Sequence, residues 1–226
     1  MVTTAELPVH WNEHTVEQLE VRKAGYQLLV DFLGEAPTLE VIMSWRNHPE
    51  LIRLSQISEG ARIVHETLCK MTGEDMYRLF ARLRDEYARL FNRGGELPVT
   101  PCETMYRANE QMLPKSYAQE VCKEYEQFSL HFKKLRGETD DHIAIELEFM
   151  ITLIEKMLNT VMTEERFSRY MNGQRRFVKE HLQCWAARFA ADLKQYTTHP
   201  LYGAIAMMLQ EFVAREARWA LEGDAA

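Results

Sequence analysis

The chain predicts an all-α fold, a helical bundle of about nine to eleven helices in two subdomains joined by a hinge. Three observations predict it. Apolar residues recur at alternating steps of four and three along Ile143, Leu147, Met150, Ile154, Met157 and Val161, which marks one buried helical face. No stretch alternates apolar and polar residues as a half-buried strand does. Only 7 prolines and 10 glycines punctuate 226 residues, which suits long helices with short connectors.

The elements follow in order. A first helix spans about residues 15–32, with Leu19, Tyr26, Leu29, Val30 and Leu33 as its stripe. It stops at Gly34, with Pro37 beyond. Short helices follow near 39–45 and 49–55, the second with Pro49 in its first turn, where no amide is missed. Another covers 59–71 and ends at Gly73. Residues 74–91 are strongly amphipathic, with Tyr77, Phe80, Leu83, Tyr87, Leu90 and Phe91 on one side and arginines largely on the other. Asn92-Arg93-Gly94-Gly95 ends that helix, and a loop runs through Pro101. Pro114 opens a helix to about residue 135. The polar connector 136–140 marks a domain boundary: an N-terminal subdomain at 1–136, a hinge loop at 137–141 and a C-terminal subdomain at 142–226. The last part holds helices at 141–162, 164–196 and 201–221. Thr163 caps the middle one, and Gly173 divides it.

Composition narrows the function. A hydrophobic share of 46% fills a core, and the 12 methionines serve mostly to fill gaps in it. A net charge of −7 argues against a nucleic-acid partner, which needs a basic field. Four cysteines without a C-x-x-C pair form neither a zinc pattern nor a disulfide framework, and reduced thiols fit a cytoplasmic protein. The N-terminus has no apolar run for a secretory signal, and no apolar stretch nears the length that spans a bilayer. Arg175-Arg176 lies mid-chain with no apolar region behind it, so it is not a twin-arginine signal. The histidines show no triad-like or metal-ligand spacing, and no phosphate-binding glycine loop is present.

The segment Thr139-Asp140-Asp141-His142 carries the densest chemistry. It puts two acids and a histidine where a connector enters the apolar helix. One acid at a helix start is explained by the exposed amides there. Two acids and a histidine also fit a peptide site, where carboxylates pair with guanidinium groups. His142 and Glu146 stand four apart, so Glu146 is expected to hold His142 in position. A metal would need a second histidine at compatible spacing. Tyr87, Leu90 and Phe91 read either as core or as the wall of an apolar groove. Pro98 and Pro101 stiffen the loop before Glu103 and Tyr106, and Cys102 has no base adjacent in sequence.

Taken together, these pieces have a familiar order. An aromatic-x-x-Leu-Phe helix end at 87–91 precedes a glycine turn at 94–95. A P-x-x-P-x-E-T-x-Y segment at 98–106 and a D-H-I-x-x-E-L-x-F-M segment at 141–150 follow. This order resembles the TorD/DmsD family, related to the NarJ group. The resemblance implies a cytoplasmic chaperone and no enzymatic activity. Its client would be a molybdopterin-containing oxidoreductase, whose twin-arginine leader and apo catalytic subunit it holds until cofactor insertion and folding are complete. It implies that Asp141 and His142 contribute to leader binding, and with the groove and acids read above the expected peptide-binding set is Tyr87, Leu90, Phe91, Pro98, Pro101, Glu103, Tyr106, Asp140, Asp141 and His142. No cofactor follows from the residues, and guanine nucleotide binding follows from the resemblance alone. A monomer or a domain-swapped dimer is expected, with no stable membrane insertion. The chain departs from the family's pattern at Tyr87, where tryptophan is frequent, at Thr139, where many relatives carry proline, and at Cys102. Two other classes stay open: a small all-α metal-dependent enzyme, and a regulator reading DNA through Arg166, Arg169, Arg175, Arg176 and Lys179.

Overall fold

The computed structural model describes residues 12–91, 98–107, 114–133, 138–159 and 162–222. Among them the chain is all-α. The helices are α1 (Glu13–Leu33), α2 (Leu39–Arg46), α3 (Pro49–Ser55), α4 (Glu59–Lys70), α5 (Gly73–Phe91), α6 (Glu103–Arg107), α7 (Pro114–Gln127), α8 (Ile143–Asn159), α9 (Glu164–Phe177), α10 (Gln183–Tyr196) and α11 (Pro200–Glu222). A π-helical turn, Val178–Leu182, joins α9 to α10. The expected glycine turn at 94–95, residues 134–137 of the connector, and Val161 lie outside the described residues.

Side-chain caps set several helix starts. Asn12 Oδ1 accepts from the Thr15 amide at 2.7 Å, Thr38 Oγ1 from Val41 at 3.2 Å and Thr163 Oγ1 from Arg166 at 3.3 Å. Each satisfies a donor that the first helical turn leaves open.

α8 is the axis of the molecule. Its sequence is apolar nearly all round, and Ile143, Leu147, Phe149, Met150, Leu153, Ile154 and Met157 are fully buried. α1 packs along it, while α11 packs against α10 and α4. Helices of the two halves thus interleave, and one cluster of buried side chains runs through both.

Glu86 pins α5 to the turn between α10 and α11. Its carboxylate accepts from the Thr198 amide at 2.6 Å and the Thr197 hydroxyl at 2.8 Å, and pairs with Arg89 at 2.7 Å. The Arg89 guanidinium and these donors depress its pKa to about 2.

Four local expectations change. α7 stops at Gln127, not near 135. Ser129 adopts φ 56°, and the amides of Ser129 and Leu130 donate back to the carbonyls of Glu126 and Tyr125. That pair of bonds is a Schellman closure. It turns the chain so that Phe132 meets Tyr125 with ring centroids 4.9 Å apart. Gly173 does not divide a helix; a Cβ there would stand 2.3 Å from the Phe128 ring, so the glycine admits that ring and α9 continues through it. α8 begins at Ile143, because Asp141 and His142 are held in the pairing described below. Tyr77 is 64% exposed, while Met76 and Leu79 carry the buried face of the first turns of α5.

Candidate functional site

The site begins with two extended segments that clamp each other. Cys102 and His142 form an isolated antiparallel bridge. The Glu103 amide donates to the Asp141 carbonyl at 2.9 Å, and the Ile143 amide to the Pro101 carbonyl at 2.8 Å. Asp141 is 1% exposed, and its Oδ2 accepts from the Thr104 amide at 2.8 Å. It therefore caps α6 from across the fold, while its Oδ1 is buried without a partner among the described residues. Asp140 is half-buried, and its carbonyl accepts from the Tyr125 hydroxyl at 2.9 Å.

Behind this clamp lies a buried polar cluster. Glu103 is fully buried; one oxygen pairs with Arg107 at 2.6 Å and the other meets His181 Nδ1 at 2.9 Å. Glu146 is fully buried too, and its Oε2 accepts from Trp185 Nε1 at 3.2 Å. Burial, then the neighbouring Glu103 carboxylate, pushes its pKa well above the usual carboxylate range. Glu146 reaches Trp185 and not the His142 ring. The i, i+4 expectation fails because His142 precedes the first helical residue, so the pair does not share a helical face. Burial pushes the Cys102 thiol up to about 12, which disfavours the nucleophilic thiolate.

His142 differs from these groups, because it lines a cleft. Its Nδ1 accepts from the Ala144 amide at 3.2 Å, and burial lowers its pKa. The neutral ring so fixed carries its proton on Nε2, leaving one donor to offer. The cleft has a volume of about 300 Å³ and lies between the end of α1, the start of α2 and the start of α8. Asp31, Glu35, Glu138 and Glu148 bring four carboxylates to it; Lys133 is the one cation among the described lining residues. Asp31 is held by Gln27 and Trp45, each at 2.7 Å. Burial, then Glu138 and Glu35, raises the pKa of Glu148. Among the described residues no hydrogen bond or ion pair holds the Glu148 carboxylate, and Glu138 and Glu35 are the charges that act on it.

The aromatic end of α5 meets this cleft from beneath. Tyr87 is 4% exposed and its hydroxyl donates at 2.9 Å to the carbonyl of Gly34, itself a lining residue. Leu90 is fully buried and Phe91 is buried, with the Phe91 ring facing Phe189. The structure therefore places these three in the core, with the Tyr87 hydroxyl reaching the cleft wall. Tyr106 packs on Trp185 and Phe189; it and Pro98 are half-buried, and Pro101 is buried. Sequence reasoning missed Asp31, Glu35, Glu138 and Glu148 as one group. No local spacing signals them, since they come from separate segments.

No group of three or more His, Cys, Asp or Glu side chains is arranged to hold a metal among the described residues. No helix among them is long and apolar enough to cross a membrane. Two arginines of α9 are engaged within the fold: Arg176 pairs with Glu124 at 2.6 Å, and Arg169 reaches the Gln127 carbonyl.

The chain is similar to several known proteins. Residues 55–191 match the family model described as nitrate reductase delta subunit. The chaperone protein TorD of Aliivibrio salmonicida is 29% identical over 80% of this chain and 84% of its own. The chlorate reductase assembly chaperone protein of Ideonella dechloratans is 29% identical over 54% of this chain and 63% of its own. A solved structure described as a redox enzyme maturation protein of Archaeoglobus fulgidus covers 91% of this chain and 98% of its own, with a TM-score of 0.44 and 17% identity. The curated relatives bear the names of chaperones and not of enzymes, which supports a non-enzyme here. With its motifs in order and a family model matched over more than half its length, the chain belongs to the nitrate reductase delta subunit family, the TorD/NarJ group.

Proposed function

We propose that this protein is a cytoplasmic maturation chaperone for a molybdenum-containing oxidoreductase, and that the acidic cleft beside His142 binds the twin-arginine leader of its client. The observation that carries the reading is the crowding of Asp31, Glu35, Glu138 and Glu148 into one cavity at the start of α8. Carboxylates forced together repel one another, and a guanidinium entering between them relieves that repulsion while making charge-assisted hydrogen bonds. His142 Nε2 supplies a donor for a peptide carbonyl. No bond is made or broken; the chaperone holds the leader and delays export until the client has its cofactor.

The other residues nominated by the sequence act around this cleft. Asp141 and Glu103 fix the clamp that places His142. Tyr87 holds the Gly34 carbonyl, with Leu90 and Phe91 packed beneath. The leader's apolar stretch falls on the α6 segment, which the Cys102–His142 bridge sets beside the cleft and where Pro98 and Tyr106 are half-exposed.

Calorimetric titration of a synthetic twin-arginine leader tests the reading. Glu148→Gln is expected to weaken binding about tenfold, the loss of one charge-assisted contact, and to leave the melting temperature unchanged or higher. Raising salt from about 0.05 to 0.5 M weakens wild-type binding as well, since the contacts are ionic. Equal affinity of wild type and variant, or a melting temperature that falls in step with affinity, would overturn it.

A further inference from the structure

A second cavity, of about 800 Å³, opens between α1, α9 and α11, on a surface the leader cleft does not use. Its apolar lining comes from Leu19, Val21, Ile57, Phe167, Met171 and Trp219. Ile57 is 42% exposed and the Trp219 ring is half-buried, so the groove presents oily surface to solvent. The Trp219 ring is held in place. The Arg22 guanidinium lies 3.7 Å from its centroid and that of Arg175 5.3 Å away. Arg22 is itself locked by Glu216 at 2.6 Å, which also accepts from the Tyr26 hydroxyl at 2.5 Å.

The unpaired charge at the rim is mainly cationic. On a chain of net charge −7, the exposed Arg215 and Arg218 stand at this groove with no carboxylate in ion-pair range among the described residues. Arg175, stacked on Trp219, has none either, and its Nε is buried without a hydrogen-bond partner. Of the lining acids, Glu216 is committed to Arg22 and Glu17 to Arg53, the latter at 3.3 Å, while the exposed Glu222 lies at the far end of α11, beyond Arg215 and Arg218. The lining runs along α11 from Phe212 to Glu222, a rise of about 15 Å, or about three helical turns.

We propose that this groove docks an acidic amphipathic polypeptide segment of about three helical turns, its apolar face on Trp219, Phe167 and Met171 and its carboxylates on Arg215 and Arg218. An oily floor with a cationic rim selects a helix whose apolar stripe is flanked by acids, and repels a basic one. Assigning that segment to the body of a client protein, as a contact separate from the leader, rests on the proposed function; the binding itself does not.

Two synthetic helices of about 14 residues test it, each with leucine at i, i+3, i+4 and i+7. One carries glutamate on the flanking positions and its copy carries lysine. Anisotropy titration with the full-length protein is expected to show binding of the glutamate helix and none of the lysine copy. Arg215→Glu with Arg218→Glu is expected to lower affinity at least tenfold, the neutralising Arg215→Gln with Arg218→Gln by less, and Glu148→Gln to leave it unchanged. All three positions are on the surface or half-exposed, and circular dichroism checks the fold of each variant. Absence of glutamate-helix binding, equal binding of the lysine copy, or binding indifferent to both arginine pairs overturns the proposal. So does wild-type dimerisation that the arginine variants abolish, which assigns the groove to a second copy. Preferential capture by anionic lipid vesicles, lost in the same variants, assigns it to a membrane surface and also overturns it.

Discussion

At the scale of single residues, two glutamates of α8 only two positions apart, Glu146 and Glu148, sit in opposite environments. Glu148 is half-buried among Glu35 and Glu138 at the cleft, while Glu146 is sealed in the core against Trp185. Both have raised pKa values, and burial is the first cause in each. For a carboxyl raised in the folded state, the contribution to stability is fully present below its unfolded value, near 4.5, and is lost as pH rises through the folded value. Glu146 sits in the polar cluster with Glu103, where the neutral acid is the favoured form. Glu146→Gln copies that neutral form and keeps an acceptor for Trp185. Urea unfolding at a series of pH values is therefore expected to show wild-type stability declining with rising pH more steeply than that of Glu146→Gln. Parallel curves would place a charged Glu146 in the core, contrary to its surroundings.

Residues also mark the limit of what sequence reading delivers. The spacing of Ile143, Leu147, Met150, Ile154 and Met157 announces a buried face, and all five are fully buried. The same spacing logic extends Tyr77 into the face of α5, where the structure exposes it. The difference is position: at the first turn of a helix the neighbouring elements, not the period, decide which side is covered. Asp141 reads as a cap for the helix that follows it. It does cap a helix, but α6, which precedes it by many residues and which only the folded chain brings near.

Among the elements, α7 is the instructive case. No glycine or proline stands between Gln127 and Gly137 to signal a stop, so the helix is expected to continue to about residue 135. The stop comes from a Schellman closure in which Ser129 takes the left-handed conformation that glycine adopts without strain. What favours the turn is tertiary: Phe128 stacks on Tyr170 and Phe132 edges onto Tyr125, and both would be lost in a continuing helix. Ser129 is exposed and makes no side-chain contact that glycine would forfeit. Ser129→Gly is expected to stabilise the protein by about 0.5–1 kcal/mol through relief of left-handed strain, read as a shift in the urea midpoint. A loss of that size would mean the turn is held by the serine itself. Thr163, by contrast, was legible as a cap from its place before two acids, and its hydroxyl accepts from Arg166 as expected.

For the whole molecule, fold class follows from periodicity and composition, because a bundle's core is written locally in each helix. The site does not follow in the same way. Its clamp comes from two segments whose motifs stand out in sequence, and these were legible. The four carboxylates come from the end of α1, the connector and α8, so each looks like an ordinary surface acid until the interleaving of the two halves brings them together. That interleaving also separates the two surfaces by charge. The cleft beside His142 gathers four carboxylates, and the groove between α1, α9 and α11 presents the exposed Arg215 and Arg218.

The central claim, that carboxylates beside His142 grip the leader's arginines, is tested most directly by a double-mutant cycle. Affinities are measured for the leader and for its copy with both arginines replaced by glutamine, each against wild type and Glu148→Gln. The account predicts a coupling of about 1–2 kcal/mol between Glu148 and the arginine pair. Losses that simply add, with no coupling, would contradict it.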